Sequence, residues 1–210
     1  MKPKSKPRKN YRKKPKIKII HILLIPVVLI GLHIMIYGPS NSVKKLNQFV
    51  SDQAKKDIPP QYIPIYKAAG KKYGIPWSLL AAHHRVETKF SSVHNMVSSA
   101  GAEGPMQFMP CTFVGWSYPS CGGLGKGNIP EKDKTDPAVI KKYGGYGVDA
   151  NGDGKADPWD PEDAIYSAAN YLAKNGAADG HIKKAVFAYN HSQRYVQEVL
   201  YFSKMYQGPN

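Results

Sequence analysis

The sequence predicts a mainly α protein in which one N-terminal transmembrane helix precedes a single globular domain. One long apolar run lies near the start of the 210-residue chain. Beyond it, apolar residues recur at helical spacing in several stretches bounded by Pro, Asp or Gly. The alternating pattern of strands is scarce, so at most a small hairpin is expected in the middle of the chain.

The first residues predict a membrane anchor. Residues 1–18 carry ten Lys or Arg and no acid, and residues 19–36 contain no Asp, Glu, Lys or Arg. About 18 apolar residues are just enough to span a bilayer. A cleaved signal peptide is the alternative, but Tyr37, Gly38 and Pro39 fit a small-residue cleavage site poorly. We therefore favour an uncleaved anchor over residues 19–37, with the basic segment in the cytoplasm and the rest of the chain outside.

The net charge of +15 is concentrated in that basic segment. Residues 1–18 supply ten units, and the other 20 basic and 15 acidic residues give the rest of the chain only +5. A basic run beside a membrane span is explained by topology and anionic lipid, so no nucleic-acid partner is expected. Residues 38–57 are predicted to be a linker, and residues 58–210 are predicted to be one domain that acts as a monomer.

Each helix of the domain has a recognisable start or end. A first helix should end at Gly74, and Pro76 should open a second that ends near Glu87. The segment 104–110 is predicted to start another helix, and Asp160 should cap one that follows it. The remaining helices are predicted over residues 137–144, 183–190 and 194–206.

Two cysteines, Cys111 and Cys121, lie ten residues apart in a segment that is predicted to be extracellular. A disulfide closing this loop is favoured in such a compartment. Two free thiols are the alternative, since sequence alone does not show that the geometry permits a bond.

Glu87 is the candidate catalytic residue. It is the only acidic residue between Asp57 and Glu103, and it follows the apolar stretch of its predicted helix. The negative end of a helix dipole and burial both disfavour a carboxylate, so both raise its pKa. A proton would then remain available for general acid catalysis at neutral pH. A solvated Glu at a helix end is the alternative.

Two further motifs accompany Glu87: the turn GAEGPMQFMP (residues 101–110) and FAYN (residues 187–190). In this order, the three elements resemble the transglycosylase SLT family, the lysozyme-like enzymes that cut the glycan strands of bacterial peptidoglycan. The resemblance covers about 130 residues, from Tyr62 to Tyr195. The strings QFMP and NGDGKADPWDPEDAIYSAANYLA look especially like the membrane-bound lytic transglycosylases that have a calcium-binding loop.

The resemblance implies a role for each matching residue. Glu87 would act first as general acid and then as base. Gly101 and Gly104 would let the backbone approach the glycan. The implied substrate-binding residues, which would line the cleft and shape the reacting subsite, are Ser98, Gln107, Tyr171, Tyr189 and Asn190. Packing in the core is the alternative role for the two tyrosines.

Three positions depart from the family pattern. Thr88 replaces the usual Ser, and His191-Ser192 replaces the common Ala-Gly. Glu103 stands where an apolar residue is more common, and it is either exposed or a second carboxylate of the cleft. With Glu87 as the one clear acid, the expected reaction is a lytic transglycosylation that forms a 1,6-anhydro-muramic acid end. If Glu103 faces the cleft, hydrolysis by a muramidase mechanism is the alternative.

Residues 149–163 predict a small EF-hand-like calcium loop. The segment matches D-x-[DN]-x-[DN]-G, with oxygen donors at loop positions 1, 3 and 5, Gly at 6 and a backbone carbonyl at 7. Asp163 is expected to close the site, while Asp160 caps the helix. The predicted ligands of a structural Ca²⁺ are Asp149, Asn151, Asp153, Lys155 through its carbonyl, and Asp163. A polar turn without metal is the alternative, and a non-catalytic wall-binding module stabilised by calcium is the rival function.

Overall fold

The computed structural model of the protein describes residues 41–208. The predicted basic segment and transmembrane anchor, residues 1–37, lie outside the described residues. Over residues 41–208, no helix has both the length and the apolar character needed to cross a membrane. The chain divides into two compact units, residues 1–46 and residues 47–210, and the core and the candidate site belong to the second.

Helices dominate the described part of the chain, which confirms the predicted mainly α class. They are α1 (Asn41–Lys56), α2 (Tyr62–Tyr73), α3 (Trp77–Thr88), α4 (Pro110–Val114), α5 (Glu131–Lys134), α6 (Pro137–Tyr143), α7 (Pro161–Leu172), a π-helical turn (Ala173–Ala177), α8 (Ile182–Asn190) and α9 (Gln193–Gln207). Within residues 41–208 the only extended pairing consists of isolated bridges that join Glu103 to Val97 and to Phe108. These bridges stand where the small hairpin was expected.

Local sequence signals set several helix ends. Gly74 ends α2 in the left-handed conformation with φ 66°, and the Asp160 carboxylate caps α7 by accepting two backbone N–H bonds. Ser192 caps α9, because its Oγ accepts the N–H of Tyr195 at 3.3 Å. The prediction that a helix starts within residues 104–110 is wrong. Gln107 has φ 51°, which an α-helix does not tolerate, so α4 begins only at Pro110.

Helix α3 is packed against α2, α7 and α9. Its Leu79 and Leu80 have no exposed surface, and burying each side chain stabilises the fold by about 1.5–3 kcal/mol. Ser78 Oγ also lies 3.1 Å from Ser203 Oγ of α9. Because α3 is held on several sides, the position of Glu87 near its C-terminal end is fixed by the core.

A disulfide joins Cys111 and Cys121, so the alternative of two free thiols is wrong. Cys111 is the second residue of α4, and its N–H donates to the carbonyl of Gly125 at 2.9 Å. The loop from residue 115 to residue 121 is therefore closed at its base and fastened to the segment that follows it.

Gly104 brings the turn that contains Gln107 into contact with the segment that precedes α7. Its φ is 75°, and a Cβ added there would lie 1.9 Å from the carbonyl oxygen of Pro158. Only a residue without a side chain fits this approach.

We expect Gly104→Ala to destabilise the protein more than Gly74→Ala. Both glycines have positive φ, which costs an L-residue about 1–2 kcal/mol, but nothing lies within 4 Å of a Cβ at Gly74. The clash with Pro158 should add about 1–3 kcal/mol. Urea unfolding of the two variants measures the difference, and equal losses of stability would contradict the close contact.

Candidate active site

The end of α3 places Glu87 beside the turn of residues 101–110. Thr88 is buried, and its Oγ1 donates to the carbonyl of Pro105 at 2.7 Å and accepts the N–H of Ser91 at 3.1 Å. The Thr that replaces the family's usual Ser therefore keeps a hydroxyl that ties the helix end to the turn. Glu87, one residue earlier, is half-buried.

The Glu87 carboxyl has one strong hydrogen-bond donor. The hydroxyl of Tyr195, on α9, lies 2.5 Å from Glu87 Oε1. Burial raises the pKa of Glu87 to about 7, and the bond from Tyr195 opposes part of this rise because it stabilises the carboxylate. A carboxyl whose pKa lies near neutral pH is suited to general acid–base chemistry.

His83 extends this network one helical turn back along α3. Its Nδ1 lies 2.8 Å from the Tyr195 hydroxyl, and burial lowers the pKa of His83 to about 3, so the ring is neutral. Its buried Nε2 has no hydrogen-bond partner among residues 41–208. An unpaired buried acceptor is tolerated better than an unpaired N–H, so we place the ring proton on Nδ1.

That tautomer fixes the direction of the hydrogen bonds. Nδ1–H of His83 donates to the Tyr195 oxygen, and the Tyr195 hydroxyl then donates to Glu87 Oε1. The acidic proton of Glu87 therefore belongs on Oε2, the carboxyl oxygen that Tyr195 does not occupy.

Tyr189 lies between this network and an open cleft. Its ring is 4.9 Å from the His83 ring and parallel to that of Tyr195, at 6.5 Å between centroids. Its hydroxyl donates to the carbonyl of Met106 at 2.8 Å. The cleft beside it has a volume of about 400 Å³ and is lined by Gln107, Phe108, Met109, Thr112, Trp116, Gly123, Leu124, Tyr146, Tyr171, Ala188, Tyr189 and His191.

Three of the predicted substrate-binding residues line this cleft: Gln107, Tyr171 and Tyr189. Gln107 is held by its Nε2, which donates to the carbonyls of Met96 at 2.7 Å and Gly104 at 2.9 Å. Tyr171 donates its hydroxyl to the carbonyl of Ala188 at 2.8 Å. Both tyrosines thus bond to backbone carbonyls, and they offer the cleft their rings.

The other predicted site residues, Glu87 among them, lie outside the cleft lining, and Glu87 is separated from it by Tyr189. Ser98 Oγ accepts the N–H of Ala102 at 2.9 Å, which stabilises the turn. Asn190 is exposed at the end of α8. Glu103 is held by Lys134, whose Nζ lies 2.8 Å from its Oε2, and its side chain is only 19% exposed. Glu103 is therefore an ion-paired residue, neither free in solvent nor part of the cleft.

The predicted calcium loop is closed by bonds to its own backbone. Asp149 accepts the N–H groups of Gly152 at 2.8 Å and Gly154 at 3.0 Å. Asp163 is fully buried and accepts from Ala150 at 2.7 Å and from Asp157 at 2.9 Å, so it holds both ends of the loop. Burial raises the pKa of Asp163, and these backbone bonds oppose the rise.

The donor set of the loop suits a hard cation, because it combines carboxylate, amide and carbonyl oxygens. Asn151 and Asp153 turn their side-chain oxygens onto backbone N–H groups two residues ahead, at 2.9 Å each. In the described part of the chain, no three His, Cys, Asp or Glu side chains converge as a metal site. Ca²⁺ at this loop therefore stays a prediction.

Sequence reasoning missed two residues of the network and one wall of the cleft. His83 is four residues before Glu87, so it lies on the same face of α3, and this spacing is the signal that could have found it. Tyr195 stands at the edge of the family resemblance with no signal of its own. Trp116 and Leu124 belong to loop segments whose position depends on the disulfide and on tertiary packing.

Comparison with known proteins covers part of this domain. Residues 140–183 match the family model of the Transglycosylase SLT domain. The matched segment contains the loop of residues 149–163 and Tyr171, while Glu87 and Gln107 lie outside it. No solved structure matches the chain.

Two curated relatives are similar to the chain. It is 27% identical to the L-Ala--D-Glu endopeptidase of Bacillus subtilis (strain 168) over 184 residues, which are 86% of this chain and 50% of that protein. It is 26% identical to the membrane-bound lytic murein transglycosylase B of Escherichia coli (strain K12) over 141 residues, 57% of this chain and 37% of that protein. The chain thus spans half or less of each relative. The family match and the second relative confirm the predicted resemblance to the transglycosylase SLT family.

We expect Tyr195→Phe to raise the pKa of Glu87, because the donor that stabilises its carboxylate is lost. A hydrogen bond to a charged group is worth about 1.5–3 kcal/mol, so the alkaline limb of a pH–rate profile should move upward by about one pH unit. The profile of glycan cleavage measures this limb.

Tyr201→Phe is the matched control for this change. Tyr201 lies on the same helix and is 60% exposed, so removal of its hydroxyl should leave the profile unchanged. An alkaline limb that stays in place in Tyr195→Phe would show that Tyr195 does not tune Glu87.

Proposed function

We propose that the domain is a peptidoglycan lytic transglycosylase of lysozyme-like fold that cleaves the β-1,4 bond between N-acetylmuramic acid and N-acetylglucosamine. The observation that carries the proposal is the Glu87 carboxyl, whose pKa is about 7. Its Oε1 is held by Tyr195, and the adjacent Tyr189 lines a cleft. The family match and the transglycosylase relative support the reaction class.

In the first step, Glu87 acts as general acid. Its Oε2 proton passes to the O4 oxygen of N-acetylglucosamine as the C1–O4 bond breaks, which releases that sugar with a neutral hydroxyl. Positive charge develops at C1 of N-acetylmuramic acid, where the substrate's own N-acetyl group can stabilise it. The bond from Tyr195 strengthens as Glu87 becomes a carboxylate, so the donor contributes most when charge has formed.

In the second step, the same residue acts as base. The Glu87 carboxylate takes the proton of the muramic O6 hydroxyl, and O6 forms a bond to C1. The product carries a 1,6-anhydro ring, water is not consumed, and Glu87 is protonated again for the next cycle. One carboxyl thus serves both steps.

The position of Glu103 favours this reaction over hydrolysis. Glycosidases that use water or a nucleophile need two carboxyl groups about 5–9.5 Å apart across the bond. Glu103, the nearest acid in sequence after Glu87, has its carboxylate paired with Lys134 at 2.8 Å and its side chain only 19% exposed. A muramidase on the same fold is therefore the second candidate, and the mass of the product separates the two.

Two other functions fit the side chains less well. A peptidase with a cysteine nucleophile needs a thiolate, and both cysteines of this chain form the disulfide. A wall-binding module has no need of a carboxyl with a raised pKa. The name of the endopeptidase relative therefore gives no mechanism to this domain.

The proposal places the enzyme at the outer face of a membrane. The apolar run of residues 19–37 would anchor it there and leave the basic N-terminus in the cytoplasm. The domain would act as a monomer on peptidoglycan strands. A structural Ca²⁺ would be held by oxygens of Asp149, Asn151, Asp153, Asp163 and the Lys155 carbonyl, and it would stiffen the loop without taking part in the chemistry.

We expect Glu87→Gln to abolish glycan cleavage, because an amide has no proton to donate. Mass spectrometry of peptidoglycan digested by the purified protein should show products 18 Da lighter than hydrolysed muropeptides for the native sequence, since anhydro products lack one water. The variant should yield none. Products with a reducing muramic acid end would instead identify a muramidase.

The stability of Glu87→Gln controls for misfolding. The pKa of Glu87 is raised in the folded state, so the native carboxyl favours folding while protonated and lowers stability as the pH rises from about 4.5 through 7. The variant lacks this penalty and should be at least as stable as the native protein at pH 8. Loss of cleavage with intact stability assigns the defect to chemistry.

We expect Ca²⁺ to raise the midpoint of thermal unfolding relative to EGTA. A ligand at one hundred times its Kd stabilises the folded state by about 2.7 kcal/mol. Asp153→Asn should reduce this gain because the loop loses a charge, whereas the exposed Asp179→Asn, which lies outside the loop, should keep it. Equal midpoints in Ca²⁺ and EGTA would identify a polar turn without metal.

A further inference from the structure

One wall of the cleft comes from segments to which the family resemblance gives no role. The disulfide loop supplies Trp116, and the residues just beyond it supply Gly123 and Leu124. Both large side chains are exposed, Trp116 to 53% and Leu124 to 80%. Exposed apolar groups that border a cleft mark a binding surface more often than a single surface residue does.

The Trp116 indole lies against Gly125 and is still about half exposed. A Cβ on Gly125 would lie 2.9 Å from Cη2 of the indole, so the ring rests against the Gly125 backbone, where φ is 86°. The Trp116 side chain has no hydrogen bond or ring contact within residues 41–208. The exposed part of the indole is therefore an apolar surface at the edge of the cleft.

Polar groups without partners surround this surface. The Oε1 of Gln107, the Oγ1 of Thr112 and the hydroxyl of Tyr146 line the cleft and form no hydrogen bond within the described residues. The Gln107 amide is kept in place by its own Nε2, which already donates to two carbonyls. The cleft thus combines an aromatic surface with unpaired donors and acceptors, which matches a sugar ring that has an apolar C–H face and polar hydroxyls.

The charge of the lining selects among sugars. No Asp, Glu, Lys or Arg contributes to it, and His191 is its only titratable side chain apart from the tyrosines. A carboxylate or a charged stem peptide would find no cationic side chain in the lining itself, where the nearest cation beside a lining residue is Lys174, 5.4 Å from the Tyr146 ring centroid. The lining therefore fits an uncharged N-acetylhexosamine better than a muramic acid residue with its lactyl group.

We propose that Trp116 is a stacking platform for one uncharged N-acetylhexosamine unit of the glycan strand, and that the Cys111–Cys121 disulfide holds this platform in place. The assignment rests on the proposed function, since it names a subsite of the same cleft. Trp116 lies in the middle of the loop that the disulfide closes. Fixing the ring before the sugar arrives reduces the ordering cost of binding.

The test measures binding of an N-acetylglucosamine tetramer to the full chain carrying Glu87→Gln, by titration calorimetry. Adding Trp116→Ala should weaken binding about tenfold, as loss of one aromatic contact predicts. Trp116→Tyr keeps an aromatic face and should stay within about threefold. Trp159→Ala, which removes an exposed tryptophan outside the cleft, should change nothing. Equal binding by Trp116→Ala and its parent overturns the platform.

Reduction tests the part played by the disulfide. Dithiothreitol should weaken tetramer binding and raise the KM of the active enzyme several-fold while kcat stays the same, because the loop is freed and the reacting groups are not. A Cys111→Ser, Cys121→Ser protein should show the higher KM without reductant and no further change with it. Unchanged binding after reduction overturns the role of the disulfide.

Failure of the platform and failure of the proposed function give different results. If the native protein forms anhydro products and Trp116→Ala leaves KM unchanged, the function stands and the platform is wrong. If the native protein cleaves no glycan but Trp116→Ala weakens tetramer binding, the platform stands and the enzymatic function is wrong. Neither binding nor cleavage by the native protein overturns both.

Discussion

The hydrogen bond from Tyr195 to Glu87 joins the first and last parts of the domain around the candidate catalytic group. Helix α3 brings the carboxyl, and α9 brings the donor from 108 residues further along the chain. Both helices also share a buried interface. The packing of α3 against α9 therefore places the Glu87 carboxyl within hydrogen-bond distance of Tyr195. The same packing buries the carboxyl in part, and this burial raises its pKa to about 7.

Three tyrosines near Glu87 have different positions and contacts in this arrangement. Tyr195 tunes the acid, Tyr189 separates the buried network from the cleft, and Tyr171 forms part of the cleft wall. Each hydroxyl has a partner: Glu87 for Tyr195, and the carbonyls of Met106 and Ala188 for the other two. Their rings form walls with satisfied hydroxyls, and polar atoms without a partner in the described part of the chain remain on Gln107, Thr112 and Tyr146.

What the sequence predicted well was local in the chain. Gly74, Asp160 and the helix of residues 194–206 were found because capping and periodicity act within a few residues. Glu87 was selected because it is isolated in sequence at the end of an apolar helix, and its catalytic role stays a prediction. His83 and Trp116 were not found, because local sequence pattern does not encode their contacts. His83 bonds to Tyr195, which is 112 residues away, and the Trp116 indole packs against Gly125. The segment of residues 104–110 was misread as helical because Gln107 adopts a backbone conformation that its residue type does not announce.

Burial of two neutral histidines has a consequence for where the protein can remain folded. Burial lowers the pKa of both His83 and His84 to about 3, whereas an exposed His has a pKa near 6.5. Below pH 6.5 the two histidines are protonated in the unfolded state but neutral in the folded state, so unfolding binds about two protons. The free energy of unfolding therefore falls as the pH drops from 6.5 towards 3. Acidification of its surroundings would therefore weaken the fold, even though the Glu87 carboxyl stays protonated there.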